Sequence, residues 1–267
     1  MTQPCRVILT ERDARILQLV SRFRLMNRDQ IMALAPFKSL TRANTRLAAL
    51  LHARLLSRKL LPVYPGDGSA QALYFLGKAS GSLLSIDPKC LNQQVRQASR
   101  WDLRQVAHII AANQGLTNAL GAAAKSNGGV AVHGFKTEPE LRQIFSDRRL
   151  VPDGWFAWTE SGKRFNCFFE VDLHHEGLRE WRAKVLRFVE YAESGMHQER
   201  FGFRAFRVCV LAKSNVRLEN LRRVSELAGG LFLFGQMGTV NAANFFSSIW
   251  LGARGSARAC LSEAKNL

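Results

Sequence analysis

Three carboxylates near the middle of the sequence have the spacing of a site that could hold a metal ion. Asp153 opens one predicted strand, and Glu170 and Asp172 end the next. Because side chains alternate along a strand, Glu170 and Asp172 lie on one face, and Asp153 is available from the neighbouring strand. Three converging acids repel one another unless a proton or a cation relieves the charge. Magnesium prefers such oxygen ligands, so Mg²⁺ at Asp153, Glu170 and Asp172 is one reading of this pattern.

Two predicted strands and a helix must position these acids. A polar turn at residues 159–163 joins the strands, which are rich in aromatic and β-branched residues. Residues 177–194 follow as an amphipathic helix, and Lys184 lies on the flank of its apolar stripe. That lysine either brings a positive charge to the acids or passes the core with its ammonium group in water.

The apolar pattern of the C-terminal third predicts a buried strand at residues 204–212, a helix at 216–228 and a short strand at 231–234. We expect the helix to expose Arg217, Arg222 and Arg223 to solvent. Residues 245–251 are a further candidate strand. Strand-helix-strand order predicts right-handed crossovers in one sheet.

The first 80 residues predict a winged helix-turn-helix. A capping-box pattern at Thr10 begins the first of three short helices, and the third begins near Ser39. Two apolar runs, at 60–64 and 72–76, flank a Gly-rich turn at 65–69, which is typical of a β-hairpin wing. We expect the third helix and its surroundings to contact DNA through a set of polar and basic residues: Lys38, Arg42, Asn44, Thr45, Arg46 and Arg58. A three-helix bundle with a solvated basic face is the alternative.

Net charge favours a polyanionic partner. The 267 residues include 38 basic and 21 acidic side chains, a net charge of +17, and residues 1–80 alone carry 13 basic and 4 acidic ones, a net of +9. Double-stranded DNA is the simplest such partner. We find no apolar run long enough to span a bilayer and no signal peptide pattern. Five scattered cysteines without a CxxC pair predict neither a disulfide framework nor a zinc site, and they suit a reducing cytoplasm.

Short motifs give the chain a family resemblance. Pro152-Asp153-Gly154 followed by Glu170-Val171-Asp172 resembles the PD-(D/E)XK nuclease signature, but Asp172 stands where that pattern has lysine. Glu170-Val171-Asp172 more closely resembles the Glu-Leu-Asp of the replication-relaxation family of plasmid and mobile-element proteins. The resemblance implies an α+β chain, a winged helix-turn-helix ahead of a PD-(D/E)XK-like domain. That domain would have an αβββαβ core and a mixed sheet flanked by helices.

On this reading, residues 1–80 bind DNA, 81–100 form a linker and 101–267 form the nuclease-like domain. The resemblance implies a DNA-binding accessory protein in replication, relaxation or conjugative mobilisation, with a degenerate nuclease-like domain that holds DNA or a partner such as a relaxase. A homodimer would suit palindromic DNA. The alternative is a Mg²⁺-dependent endonuclease with Asp153, Glu170, Asp172 and Lys184 as its catalytic residues. Without that activity, no cofactor is expected.

Overall fold

The protein was analysed as a computed structural model that describes residues 8–62, 70–145, 149–174 and 176–262. The chain divides into two compact units, Met1–Asn113 and Gln114–Leu267. Both combine helices with a sheet, so the α+β prediction is confirmed at that level. Within the described ranges, no helix is both long enough and apolar enough to cross a membrane.

The first unit begins with three helices, α1 (Glu11–Phe23), α2 (Arg28–Leu34) and α3 (Leu40–His52). Local hydrogen bonds fix where they start. The side chains of Thr10 and Asn27 accept backbone N–H groups of the first turns of α1 and α2, and each helix has a reciprocal capping box. Ser39 caps α3 in the same way. The predicted positions of the three helices are therefore confirmed.

A small antiparallel sheet completes this part of the first unit. Its strands are β1 (Met26–Asn27), β2 (Leu56–Leu60) and β3 (Ala72–Leu76), in the order β1-β3-β2. The first strand of the predicted hairpin lies earlier than expected, because β2 pairs from Leu56 to Leu60 with β3. The predicted turn at 65–69 lies outside the described residues.

Residues 81–100, predicted as a linker, are largely helical. This stretch contains α4 (Gly81–Leu84) and α5 (Pro88–Arg100). Asp87 and Pro88 start α5: the Asp87 side chain accepts the N–H groups of Lys89 and Cys90, and proline suits the first helical position. Leu91 and Ala98 of α5 are buried.

The second unit is built on a mixed seven-stranded sheet in the order β10-β9-β8-β7-β6-β5-β4, as far as the structure describes it. Neighbours β6, β7 and β8 are parallel, and the other pairs are antiparallel. The strands are β4 (Val130–Thr137), β5 (Gly154–Glu160), β6 (Lys163–Asp172), β7 (Arg207–Ala212), β8 (Phe232–Gln236), β9 (Trp250–Gly252) and β10 (Arg258–Ala259). The candidate strand at 245–251 is therefore strand only from Trp250.

Helices cover both faces of this sheet. They are the later turns of α6 (Leu103–Lys125), α7 (Glu138–Ile144), α8 (Leu178–Glu193), α9 (Met196–Phe201) and α10 (Asn215–Ser225). Trp181 and Phe188 of α8 and Leu221 of α10 join Phe168 and Phe232 in the core on one face. Gly115 of α6 lies against Phe169 on the other face. The prediction that this helix exposes three arginines is wrong for two of them. Arg217 and Arg222 are buried, and of the three only Arg223 is exposed.

Candidate functional site

The β5–β6 pairing brings Asp153 and Glu170 together. Gly154 pairs with Phe169 across the two antiparallel strands, so the residues one step further along, Asp153 and Glu170, stand opposite each other on one face. The Asp153 Oδ2 atom accepts the backbone N–H of Val171 at 2.8 Å, which fixes the carboxylate against β6. Both acids are buried, Glu170 to 1% exposure.

Lys184 reaches this pair from helix α8. Its Nζ atom donates to Glu170 Oε2 at 3.1 Å and lies 3.4 Å from Glu176 Oε2. The helix holds the lysine there because Trp181, Val185 and Phe188 bury the adjoining face of α8 in the core. The structure therefore assembles Asp153, Glu170, Glu176 and Lys184, which we call the acidic corner.

Burial dominates the electrostatics of the acidic corner. It raises the pKa of Glu170 to about 8; Asp153 and Glu176 add to the rise, and Lys184 opposes it. Burial alone would lower the pKa of Lys184, but Glu170, Asp153 and Glu176 raise it above its usual value. Lys184 is therefore cationic at neutral pH, and the Glu170 carboxyl is poised to hold either a proton or a metal ion.

Asp172 does not join the acidic corner. Its Oδ1 atom accepts from Arg217 Nε at 2.9 Å and its Oδ2 atom from Arg217 Nη2 at 2.7 Å. The same guanidinium donates to the backbone carbonyl of Glu176 at 2.5 Å. Both partners are buried, so Asp172 is the anionic half of an internal ion pair. Its assignment as a metal ligand stays a prediction that this geometry does not favour.

Two carboxylates of the acidic corner, Asp153 and Glu170, could bind a divalent cation. No group of three or more His, Cys, Asp or Glu side chains suited to a metal occurs among the described residues. However, the Glu170 Oε1 atom is buried and has no hydrogen-bond partner in the part of the chain that the structure describes. Magnesium is commonly held by one or two carboxylates, with water and substrate phosphate completing its shell. Asp153 and Glu170 meet that requirement.

Sequence reasoning missed Glu176 and Arg217. Glu176 follows the end of β6 by four residues, in a connection without a motif. Arg217 precedes Leu218 on α10, and both are buried. The position of Arg217 next to an apolar residue of α10 could have indicated that it is buried. Its partner Asp172 is 45 residues away in the sequence and becomes evident only in the fold.

The predicted DNA-contact residues of the first unit have different surroundings. Lys38, Arg42, Thr45 and Arg58 are exposed. Asn44 is also exposed, and its side-chain oxygen accepts from Arg28 Nη1 at 3.3 Å. Arg46 instead donates from Nε to Asp13 Oδ1 at 2.7 Å and from Nη2 to both Asp13 Oδ2 and the Ile8 carbonyl. Asp13 is fully buried, so the guanidinium group of Arg46 is held by contacts within this unit.

The exposed face of α3 carries Thr41, Arg42, Asn44, Thr45 and His52, and the helix contains no acidic residue. Its basic neighbours come from other elements. Arg58 of β2 pairs with Tyr74 of β3. Burial raises the pKa of Tyr74, while the charges of Arg58 and Arg28 act in the opposite direction, so both arginines lie near this ring. Arg28 is itself paired with Asp29 at 3.2 Å, whereas Arg42 of α3 and Arg58 of the hairpin have no acidic partner among the described residues and supply the positive charge of these two elements.

Comparison with known proteins gives one family match. A family model described as replication-relaxation matches residues 17–205. None of the curated proteins compared with the chain matches it. A solved structure of the restriction endonuclease FokI bound to DNA is similar at 11% identity and a TM-score of 0.29, over 86% of this chain and 44% of that chain. A similarity this low does not establish a shared fold or function. Since the family model covers most of the sequence, the chain belongs to the replication-relaxation family, which suggests a role in the replication or relaxation of a plasmid or other mobile element.

Proposed function

We propose that this protein is a DNA-binding accessory protein of a plasmid or integrative element, acting in replication, relaxation or mobilisation. Its first unit would be a winged helix-turn-helix, with α3 in the major groove and the β2–β3 hairpin near the backbone. The observation that carries the proposal is the α3 surface: its exposed residues include no acid, Asn44 contacts Arg28, and Arg28 and Arg58 both lie near Tyr74. Phosphate contacts would supply affinity, and Asn44 and Thr45 are placed for base contacts.

A salt series of binding measurements tests this. For a duplex of about 40 base pairs, the logarithm of the binding constant falls linearly with the logarithm of salt concentration, by about 0.9 per phosphate contact. We expect Arg42→Ala with Arg58→Ala to flatten that slope by roughly two. Arg15→Ala with Arg96→Ala removes equal charge from exposed positions outside α3 and the hairpin, and should leave the slope unchanged. An unchanged slope for the first pair would exclude this surface.

The second unit has the element order α6, β4, β5, β6, α8 and β7, with the short helices α7 and α9 inserted. That order supports a PD-(D/E)XK-like domain, which we infer to be degenerate. The strand position expected to hold lysine is occupied by Asp172, and Arg217 neutralises it internally. We propose that this domain holds DNA or a protein partner such as a relaxase. Co-purification with the relaxase of the same element, lost on deleting the second unit, tests the partner.

A Mg²⁺-dependent endonuclease is the second candidate, and the unpartnered Glu170 Oε1 atom favours it. Asp153 and Glu170 would hold the ion, which would supply Lewis acidity and an activated water when bound. Lys184, 3.1 Å from Glu170, would place its ammonium charge beside a phosphate. It would thereby replace the lysine missing from the strand.

Two measurements separate these candidates. If the domain is degenerate, supercoiled plasmid stays intact with Mg²⁺ or Mn²⁺; nicking that disappears in Glu170→Ala would establish the nuclease. Independently of cleavage, an ion bound at Asp153 and Glu170 stabilises the folded protein by mass action. Mn²⁺ would then raise the Tm of the wild type and not that of Glu170→Gln. An equal rise in both proteins would exclude an ion at Glu170.

A further inference from the structure

The solvent-facing side of helix α8 is divided by charge. Its first ten residues expose Arg179, Arg182 and Arg187 together with one acid, Glu180, and its last four expose Glu190 and Glu193. Arg179 and Arg182 are three residues apart, so their side chains leave the helix as neighbours. Neither has an acidic partner in the stretches of chain that the structure describes. The N-terminal half of α8 therefore presents a net positive charge to solvent.

This distribution opposes the helix dipole. Acidic side chains stabilise the N-terminal end of a helix and basic ones the C-terminal end. In α8 the exposed arginines begin in the first turn, Glu190 and Glu193 lie at the C-terminal end, and the last turn has no basic residue. Glu180 is the one acid of the first turn, and its carboxylate folds back toward Gly177. Arg179, which lies in the first turn, therefore opposes the helix dipole, and this is expected of a residue placed for an external anion.

The position of these arginines indicates which anion. Helix α8 follows β6 directly, and Lys184 of the same helix contacts Glu170. With 3.6 residues per turn, Arg179 and Arg182 leave α8 on a different side from Lys184, although all three residues lie within its first two turns. Lys213, exposed at the end of β7, donates its backbone N–H to the carbonyl of Asp172 at 3.1 Å. The three exposed cations thus all follow the carboxyl ends of the parallel strands β6 and β7.

We propose that Arg179, Arg182 and Lys213 form a second phosphate-contact surface, which binds the backbone of duplex DNA at the end of the sheet where β6 and β7 lead into their helices. The inference rests on the proposed DNA-binding function and extends it, because it commits the second unit to DNA and names the residues that contact it. Phosphate contacts position a duplex without reading its sequence. The surface therefore adds affinity and salt dependence without adding sequence preference. Arginine suits this role because its planar guanidinium binds phosphate oxygens in pairs.

The test uses the full chain and a duplex of about 60 base pairs, with fluorescence anisotropy read across salt concentrations. Arg179→Ala with Arg182→Ala should flatten the salt slope by about 1.8, the value for two lost phosphate contacts. Lys163→Ala with Arg164→Ala is the matched control. These residues are exposed at the opposite end of β6, and their loss removes the same charge. The control slope should equal that of the wild type. The Tm of the Arg179/Arg182 variant should be equal to or above that of the wild type, since Arg179, a cation that opposes the dipole, is removed.

Each possible result of these measurements either supports or contradicts the second phosphate-contact surface. A wild-type slope for the Arg179/Arg182 variant, together with a flattened slope for the Arg42/Arg58 variant, overturns the second surface and leaves the proposed function standing. Equal flattening in the Lys163/Arg164 control reduces the effect to overall charge and also overturns it. If the full chain binds no duplex DNA at any salt concentration, both proposals fall. A binding loss that spares the slope, or a lower Tm, would show that the arginines are structural.

Discussion

Arg217 and Asp172 form a bidentate ion pair inside the second unit. The Nε–Oδ1 distance is 2.9 Å, the Nη2–Oδ2 distance is 2.7 Å, and the two side chains are only 4% and 2% exposed. Arg217 also binds the backbone carbonyl of Glu176, whose carboxylate lies 3.4 Å from Lys184. The pair therefore anchors the β6–α8 connection and, through it, the position of Lys184 beside Glu170.

We expect Arg217→Ala to destabilise the protein by about 3–5 kcal/mol, because it leaves a buried carboxylate without its partner. Urea unfolding measures this. Arg223→Ala, on the exposed side of the same helix, should change the free energy of unfolding by less than about 0.5 kcal/mol. Replacing both partners, as Arg217→Met with Asp172→Leu, should restore much of the loss. A cost below about 1 kcal/mol for Arg217→Ala would show that water replaces the pair.

Arg42 and Arg46 should separate binding from stability. Burial by itself would raise the pKa of Asp13, but hydrogen bonds from Arg46 and Thr10 hold it below its usual value. Asp13 then stabilises the fold at neutral pH, and this contribution is lost as pH falls below about 4 through its lowered pKa. We expect Arg46→Ala to cost about 3 kcal/mol in unfolding experiments at pH 7. Arg42→Ala should leave stability unchanged and weaken DNA binding; the reverse pattern would contradict both assignments.

Gly115 should tolerate no side chain. A Cβ atom there would lie 1.9 Å from the Phe169 ring, which is fully buried. We expect Gly115→Ala to destabilise the second unit by about 2 kcal/mol or more, since the core must move to accept it. Gly121→Ala is the control in the same helix, because its Cβ would meet Ala242 at 3.4 Å. Higher helix propensity should make that variant neutral or more stable by about 0.5–1 kcal/mol. Thermal denaturation of both variants compares them directly.

The sequence predicts what depends on local patterns and misses what depends on distant partners. Strands β5 and β6 follow from alternation, and Asp153 and Glu170 share a face as expected. Gly115 of α6 is required by a distant partner, because only glycine there allows the close approach of the Phe169 ring. Arg46 resembles a surface residue until α1 supplies the buried Asp13. Charged residues on amphipathic helices are thus the positions where sequence patterns are least informative.

The pH dependence of stability should report the protonation of Glu170. Its pKa is about 8 in the folded protein, against 4.5 as the ordinary value. Between these values the folded state holds a proton that the unfolded state has released, so the free energy of unfolding falls as pH rises through this window. We expect the wild-type Tm to fall by several degrees from pH 5 to pH 8.5, with about 2–4 °C for each kcal/mol. Glu170→Gln remains neutral, so its Tm profile should be flatter and cross above that of the wild type at high pH. Parallel profiles, measured by calorimetry in metal-free buffers, would show that Lys184 keeps Glu170 ionised throughout this range.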